Sequence, residues 1–369
     1  MSFFDIQIDK NARKVLVIPN ITNSQNIEKD SFVDVIYNHI IGLKSIGSYY
    51  WHIILPKPVT KLNLDHVKQH IMPISGDMIN MRVAFPKEII GLLQNLEYDV
   101  VYSHLPDWYM VARYTDKKII GYAHWWELKT CNAEDIKNRF RNLPSEIIGV
   151  LKMDTCFLNT QDQKNRVNDE AKEWFNDEQI KLLEEKLQVW NLGVSQDNIV
   201  KEASANKEKI IVFNHRAAAY KGYPHFIELM SEYRKKRTDF TVWVPQLNEP
   251  PQYNWIDSTK VSKDEYYKKL QTCTVGVQMR QTNYGWSVAA TDCMMNGTPM
   301  IFQESLCYRE IDPDGMFFKY KKDFFNMLDM LLDDEQFRKS KEKLVIERTK
   351  QISNNEVKML QTLHKKFNS

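Results

Sequence analysis

The stretch Lys209-Ile210-Ile211-Val212-Phe213-Asn214-His215-Arg216-Ala217-Ala218-Ala219-Tyr220-Lys221-Gly222-Tyr223-Pro224 reads as a strand, a turn carrying two cations, and the start of a helix. Lys209 to Phe213 is an apolar, β-branched run of buried-strand length. From Pro224 to Lys236 apolar residues recur at helical spacing, at Phe226, Leu229, Met230 and Tyr233. Arg216 and Lys221 therefore leave the carboxyl end of a strand, the edge where open α/β sheets hold their ligands. Backbone N–H groups of the turn and the positive end of the helix add to the field of the two side chains, so the place favours an anion such as a diphosphate. The plainer reading is two solvated cations in a surface loop, and this segment taken alone does not decide between them.

A second stretch, Thr282-Asn283-Tyr284-Gly285-Trp286-Ser287-Val288-Ala289-Ala290-Thr291-Asp292-Cys293-Met294-Met295-Asn296-Gly297-Thr298-Pro299-Met300-Ile301, reads as loop, helix, tight turn and strand. Gly285 lets backbone approach a ligand, Trp286 to Asn296 form the helix, Gly297 ends it, and Pro299 precedes the next strand. Asp292 lies about two turns into that helix, where a carboxylate can accept hydrogen bonds from sugar or ribose hydroxyls. The alternative is an amphipathic core helix carrying one incidental acid.

Between these stretches the pattern gives a strand at Phe240–Val244, a helix at Lys263–Leu270 and a strand at Thr274–Met279. In this order the segments resemble the nucleotide-binding half of the retaining GT-B glycosyltransferases. In that family an Arg and a Lys-Gly pair follow the first strand of the second domain and hold the nucleotide diphosphate, a pattern matched by Arg216 and Lys221-Gly222. Gly297-Thr298-Pro299 matches the end of a family pattern in which two acids precede a Gly-Thr-Pro turn. Asp292 takes the second acidic position, and Thr282 stands where the first is expected. Val189-Trp190-Asn191-Leu192-Gly193-Val194 is similar to the family's hydrophobic segment before the interdomain linker. The resemblance implies an α/β chain of the GT-B class, two Rossmann-like doubly wound domains facing a central cleft. It further implies a nucleotide-diphosphate sugar as donor, a UDP-sugar first among them, held by Arg216, Lys221, Gly222, Tyr284, Gly285, Trp286, Ser287 and Asp292. No Asp-X-Asp motif sits at a strand end, so Arg216 and Lys221 are expected to do the work of a metal.

Length agrees. A chain of 369 residues is too long for one ordinary core and suits two α/β domains. Its 43% hydrophobic and 27% charged content is that of a soluble globular protein, and the net charge of +2 leaves any polyanion partner to a local patch. The five cysteines have no paired short spacing, which argues against a zinc site or a disulfide framework and for a reducing, cytoplasmic setting. The first residues lack a basic region followed by an apolar core, and no apolar run approaches membrane-spanning length, so no membrane insertion is expected.

The N-terminal half alternates strands and helices as well. Strands are expected at Lys14–Ile18, Trp51–Leu55, Met81–Phe85, Asp99–Ser103 and Lys118–Ala123, with helices at Phe32–Ile46 and Lys87–Leu96. Ser195 to Glu208 is polar and is read as the linker, giving an acceptor-binding domain over 1–195 and a nucleotide-sugar domain over 196–352. The remaining 353–369, with a helix at Val357–Phe367, is expected to pack back on the first domain.

One N-terminal motif carries candidate chemistry: Tyr122-Ala123-His124-Trp125-Trp126-Glu127, directly after a strand. There His124 can bond the donor sugar, Glu127 can orient or deprotonate an acceptor hydroxyl, and the indoles can stack on a sugar or base. A tryptophan pair after a buried strand is equally a core feature. His104, at the end of the preceding strand, reads as a structural histidine. The Arg216-to-Lys221 spacing and the His124 segment are similar to the DNA α-glucosyltransferases of T-even phages. That likeness implies double-stranded DNA bearing hydroxymethylated pyrimidine as acceptor, with Arg139 and Arg141 on its phosphates. Other acceptors consistent with the sequence are a cell-surface glycan, a lipid-linked sugar or a protein, and a chain lacking the first acid can also be a non-catalytic sugar-nucleotide binder.

Overall fold

The structure is a computed structural model that describes residues 11–21, 27–72, 87–106, 113–124, 126, 128, 143–194, 196–280 and 285–369. Two parallel sheets form the frame. The first holds β1 (Arg13–Ile18), β2 (Tyr49–Leu55), β3 (Val67–Ile71), β4 (Val100–Ser103), β5 (Lys118–Ala123), β6 (Thr155–Leu158) and β7 (Leu187–Val189), in the order β3-β2-β1-β4-β5-β6-β7. The second holds β8 (Glu208–Val212), β9 (Thr241–Trp243), β10 (Ile256–Asp257), β11 (Cys273–Gln278), β12 (Met300–Gln303) and β13 (Met316–Phe318), in the order β10-β9-β8-β11-β12-β13. Every pairing is parallel, so this is the doubly wound α/β class expected from the sequence.

Strands of such sheets are apolar throughout because both faces are covered. Along β1, Val15 and Val17 enter one core while Leu16 and Ile18 enter the other. The first face is closed by Val33, Ile36 and Ile40 of α1 (Ser31–Lys44), the second by Ile147 and Val150 of α3 (Leu143–Lys152), with α2 (Lys87–Asn95) beside it. In the second sheet, Ile211 of β8 packs with Phe226 and Met230 of α6 (Tyr223–Arg234), together with Leu328 and Leu331 of α10 (Lys321–Asp333). Val212 turns to the other face, against Ala290 and Met294 of α8 (Val288–Met295).

β6, β7, β10 and β13 are not among the expected strands, and further elements differ from the sequence reading. β3 was not anticipated: Val67-Lys68-Gln69-His70-Ile71 is a half-exposed edge strand whose polar residues hide it. Trp286 precedes α8 instead of opening it, because Ser287 caps the helix by accepting from Ala290 N. The last helix does not begin at Val357; it is α11, a single helix from Glu335 to Asn368. The strand expected at Met81–Phe85 lies outside the described residues.

Contacts between the halves show how the sheets face each other. α4 (Gln161–Ala171) leaves the carboxyl end of β6 and is followed by α5 (Asp177–Lys186); the first N–H groups of α4 are capped by Glu310 of α9 (Leu306–Ile311), which follows β12: Gln161 N donates at 2.7 Å and Asp162 N at 2.9 Å. Asp34 in the first turn of α1 pairs with Lys263, the first residue of α7 (Lys263–Thr272), at 3.4 Å. The first contact joins the start of α4 to the last turn of the short α9, and the second joins the first turns of α1 and α7. α1, α4 and α7 all begin beyond the carboxyl ends of strands, so the carboxyl edges of the two sheets look toward one another.

Candidate functional site

In the second sheet β8 and β11 are neighbours, and the helices that follow them, α6 and α8, pack on opposite faces. This divergence opens a crevice at the two strand ends, the standard ligand position in doubly wound sheets. Asn214, His215 and Arg216 leave β8 there, and Gln278 ends β11. A single 3-10 turn, Ala219–Lys221, leads into Gly222 with φ +75°, and a Cβ added to Gly222 would sit 2.5 Å from the Cβ of Met279. The turn bearing Lys221 is thus pressed onto the exit of β11, and only glycine permits both the backbone angle and the approach.

The charges agree with an anion site. The Lys221 amine is lowered to about 8, first by desolvation and then by the guanidinium of Arg216. His215 is buried, and its imidazole is held well below 6.5 by burial, then by Lys221, with Arg216 adding to the effect. Lys221 thus holds its charge in a desolvated place beside Arg216, a cost that an anion would relieve.

A chain of hydrogen bonds ties this crevice to α8. Asn214 Nδ2 donates to the Ala289 carbonyl at 2.7 Å and to the Tyr266 hydroxyl at 2.8 Å, and its Oδ1 accepts from Gln278 Nε2 at 3.3 Å. Ser287 Oγ lies 3.1 Å from Gln278 Oε1 and 3.0 Å from His215 Nε2. At the far end the Tyr266 hydroxyl donates to Asp292 Oδ2 at 3.2 Å. Desolvation raises the Asp292 carboxyl to about 7, against a lowering pull from Tyr266 and Lys263.

In the first half, His104 and His124 follow β4 and β5 and meet through Nδ1 and Nε2 at 2.9 Å. Burial lowers His124 to about 4 and leaves His104 well below its ordinary value, so both rings are neutral. Asn159 Nδ2 holds the His124 carbonyl at 2.6 Å and is itself placed by the Tyr122 hydroxyl, which donates to Asn159 Oδ1 at 2.9 Å. Trp126 is 1% exposed within the first core, so its indole packs the protein instead of offering a stacking face for a sugar.

The structure therefore brings Arg216, Lys221, Gly222 and Ser287 to the ends of β8 and β11, with Gly285 and Trp286 leading into α8, and joins Asp292 to them through Tyr266 and Asn214. It sets His124 at the carboxyl edge of the other sheet. Thr282, Tyr284, Trp125, Glu127, Arg139 and Arg141 lie outside the described residues. Arg237, in the basic run Arg234-Lys235-Lys236-Arg237, is bound to Asp239, Asp329 and Asp333, so it is occupied within the fold. Asn214, His215, Tyr266 and Gln278 are bonded into this network although the sequence reading does not single them out. A polar residue directly after an apolar strand was the available signal for Asn214, His215 and Gln278.

No protein-family model matches the chain, and no curated protein matches it. Solved structures do match. The Anabaena protein HepE, crystallised with UDP and glucose, superposes with a TM-score of 0.68 at 10% identity, over 96% of this chain and 99% of its own. A sucrose-phosphate synthase from Thermosynechococcus elongatus gives 0.72 at 11% identity, and a trehalose-6-phosphate synthase gives 0.68 at 12%, each over 96% of this chain and 99% of theirs. The fold is GT-B. In the GT-B frame the β8–β11 crevice belongs to the second domain and the His104–His124 pair to the first. Among the described residues no helix is long and apolar enough to cross a membrane.

Proposed function

We propose that this chain is a retaining glycosyltransferase that takes a hexosyl or pentosyl group from a UDP-sugar. The observation that carries the reading is the convergence of Arg216, Lys221 and the Ser287-capped start of α8 on the β8–β11 switch point of a GT-B fold. HepE supports the donor class, having been crystallised with UDP and with UDP-glucose. When the glycosidic bond breaks, negative charge grows on the leaving diphosphate, and two preorganised cations in a desolvated crevice stabilise it. The acceptor hydroxyl attacks from the side the diphosphate leaves, a phosphate oxygen takes its proton, and the anomeric configuration is kept. His124 bonds the donor sugar, and Glu127 places the acceptor. Asp292 accepts from the ribose. The domains divide at 195/196, with 353–369 returning to the first.

For the acceptor we propose a hydroxymethylated pyrimidine in duplex DNA, flipped out of the stack to reach the space between the domains, with Arg139 and Arg141 on the phosphates. This part is supported by the local sequence likeness alone. Purified protein is incubated with UDP-sugars and hydroxymethylcytosine DNA, and the nucleosides are separated by mass spectrometry. A glycosylated nucleoside is expected. Hydrolysis of donor without one moves the acceptor to a glycan, a lipid-linked sugar or a protein. Failure to bind or turn over any nucleotide sugar overturns the enzyme reading, and an inverted product overturns retention.

A further inference from the structure

His215 is 8% exposed, lies between the end of β8 and Arg216, and has no part in the reaction as described. Its tautomer follows from its neighbours. The Ala289 carbonyl is an obligate acceptor, so the Asn214 atom 2.7 Å away is the amide nitrogen and Oδ1 is left to accept. Gln278 then donates to Oδ1 through Nε2, which leaves its own Oε1 as acceptor for Ser287. A hydroxyl has one proton. With that proton on Gln278, Ser287 Oγ accepts from His215, and the ring is the Nε2–H tautomer. The same Ser287 oxygen accepts from Ala290 N, so His215 grips the residue that caps α8.

We propose that His215 is a positioning residue of the diphosphate site: its Nε2–H bond to Ser287 locks the first turn of α8 against the strand end that carries Arg216 and Lys221. The inference rests on the donor reading above and names what sets that site's geometry. Backbone donors at a helix start serve an anion only when they are held in register with its other partners. Asn214 reinforces the lock two residues along, in the same first turn, through Ala289.

Three variants and one spectrum test this. In the free wild-type protein at pH 7, nitrogen NMR of labelled imidazole is expected to show His215 as the Nε2–H tautomer. By calorimetry, His215→Phe is expected to bind inorganic pyrophosphate and UDP about tenfold more weakly, the worth of one buried hydrogen bond. His215→Gln, which carries an amide N–H to the position of Nε2, should stay within about threefold of wild type. Ser287→Ala should match His215→Phe, and the double variant should be no weaker than either, since both remove one bond. Circular dichroism confirms that each variant is folded, so a purely structural role leaves affinity per folded molecule unchanged. The Nδ1–H tautomer, wild-type affinity in folded His215→Phe, multiplied losses in the double variant, or no pyrophosphate binding by wild type each overturns the proposal. Because pyrophosphate reports on the anion site alone, wild-type protein that binds it but not UDP refutes the donor reading and leaves the role of His215 to be decided by the variants.

Discussion

Lys221 carries its charge in a place that disfavours it. A lysine lowered from 10.5 to about 8 holds its proton less tightly in the folded chain than in the unfolded one. Folding is opposed at every pH below 8, and the penalty fades as pH climbs from 8 toward 10.5. Lys221→Met should therefore be more stable than wild type to urea at pH 7, with the advantage gone near pH 10.5, while kcat falls on the order of a hundredfold. Full activity in this variant, or a requirement for a divalent cation exposed by EDTA, counts against the leaving-group role. Asp292 has the opposite sign. Raised from 3.8 to about 7, it favours folding fully below pH 3.8 and loses that contribution as pH rises through 7. Asp292→Asn should hold its stability at pH 8 better than wild type and weaken UDP affinity about tenfold, more than it slows turnover. Unchanged affinity by calorimetry would return Asp292 to the role of a partner for Tyr266. The placement of Arg216 and Lys221 just past β8 was legible because an apolar, β-branched run marks the strand they follow. Asn214 and Gln278 were not, because their roles depend on which amide atom faces which neighbour, and that appears only once β8 and β11 lie side by side.

Elements were read well where both faces are buried and poorly where one is wet. β8, β11 and β12 announce themselves as apolar runs, whereas β3 alternates Lys68 and His70 with Val67, Gln69 and Ile71 and shows no such signal. α11 begins with Glu335-Gln336-Phe337-Arg338-Lys339-Ser340-Lys341, a charged surface pattern in which the apolar stripe is thin. Glycines give a test at this scale. Gly222→Ala forces a Cβ into the left-handed region and to 2.5 Å from Met279, so it should cost about 1–3 kcal/mol and weaken pyrophosphate binding together with stability. Gly91, in α2, is the control: a Cβ there meets nothing within 4 Å, and Gly91→Ala should stabilise by about 0.5–1 kcal/mol through helix propensity. Urea midpoints moving in the same direction for both variants would show that the turn before α6 is not built as described.

At the scale of the molecule, α11 decides how the two sheets stand to each other. Val345 and Ile352 lie in the core of the second sheet, and Leu360, Leu363 and Phe367, farther along the same helix, lie in the core of the first. Between them Glu356 accepts from Trp190 Nε1 at 2.7 Å, and burial raises its carboxyl to about 7. His39 stacks on that indole at 4.5 Å, so the crossing is anchored in the first core. Gly193 makes the crossing possible, since a Cβ there would come within 2.4 Å of both Cβ and Cγ of Glu356. Gly193→Ala must push the strap away from the segment that joins the halves, at about 1–3 kcal/mol. Because α11 contributes to both cores, wild type is expected to melt as one unit in scanning calorimetry. Loosening the strap should lower the midpoint and divide the transition in two, with donor turnover falling as the carboxyl edges lose their alignment. A Gly193→Ala protein that melts in one transition at the wild-type temperature would mean that Glu310 on α4 and Lys263 on Asp34 hold the halves together, and that α11 merely follows.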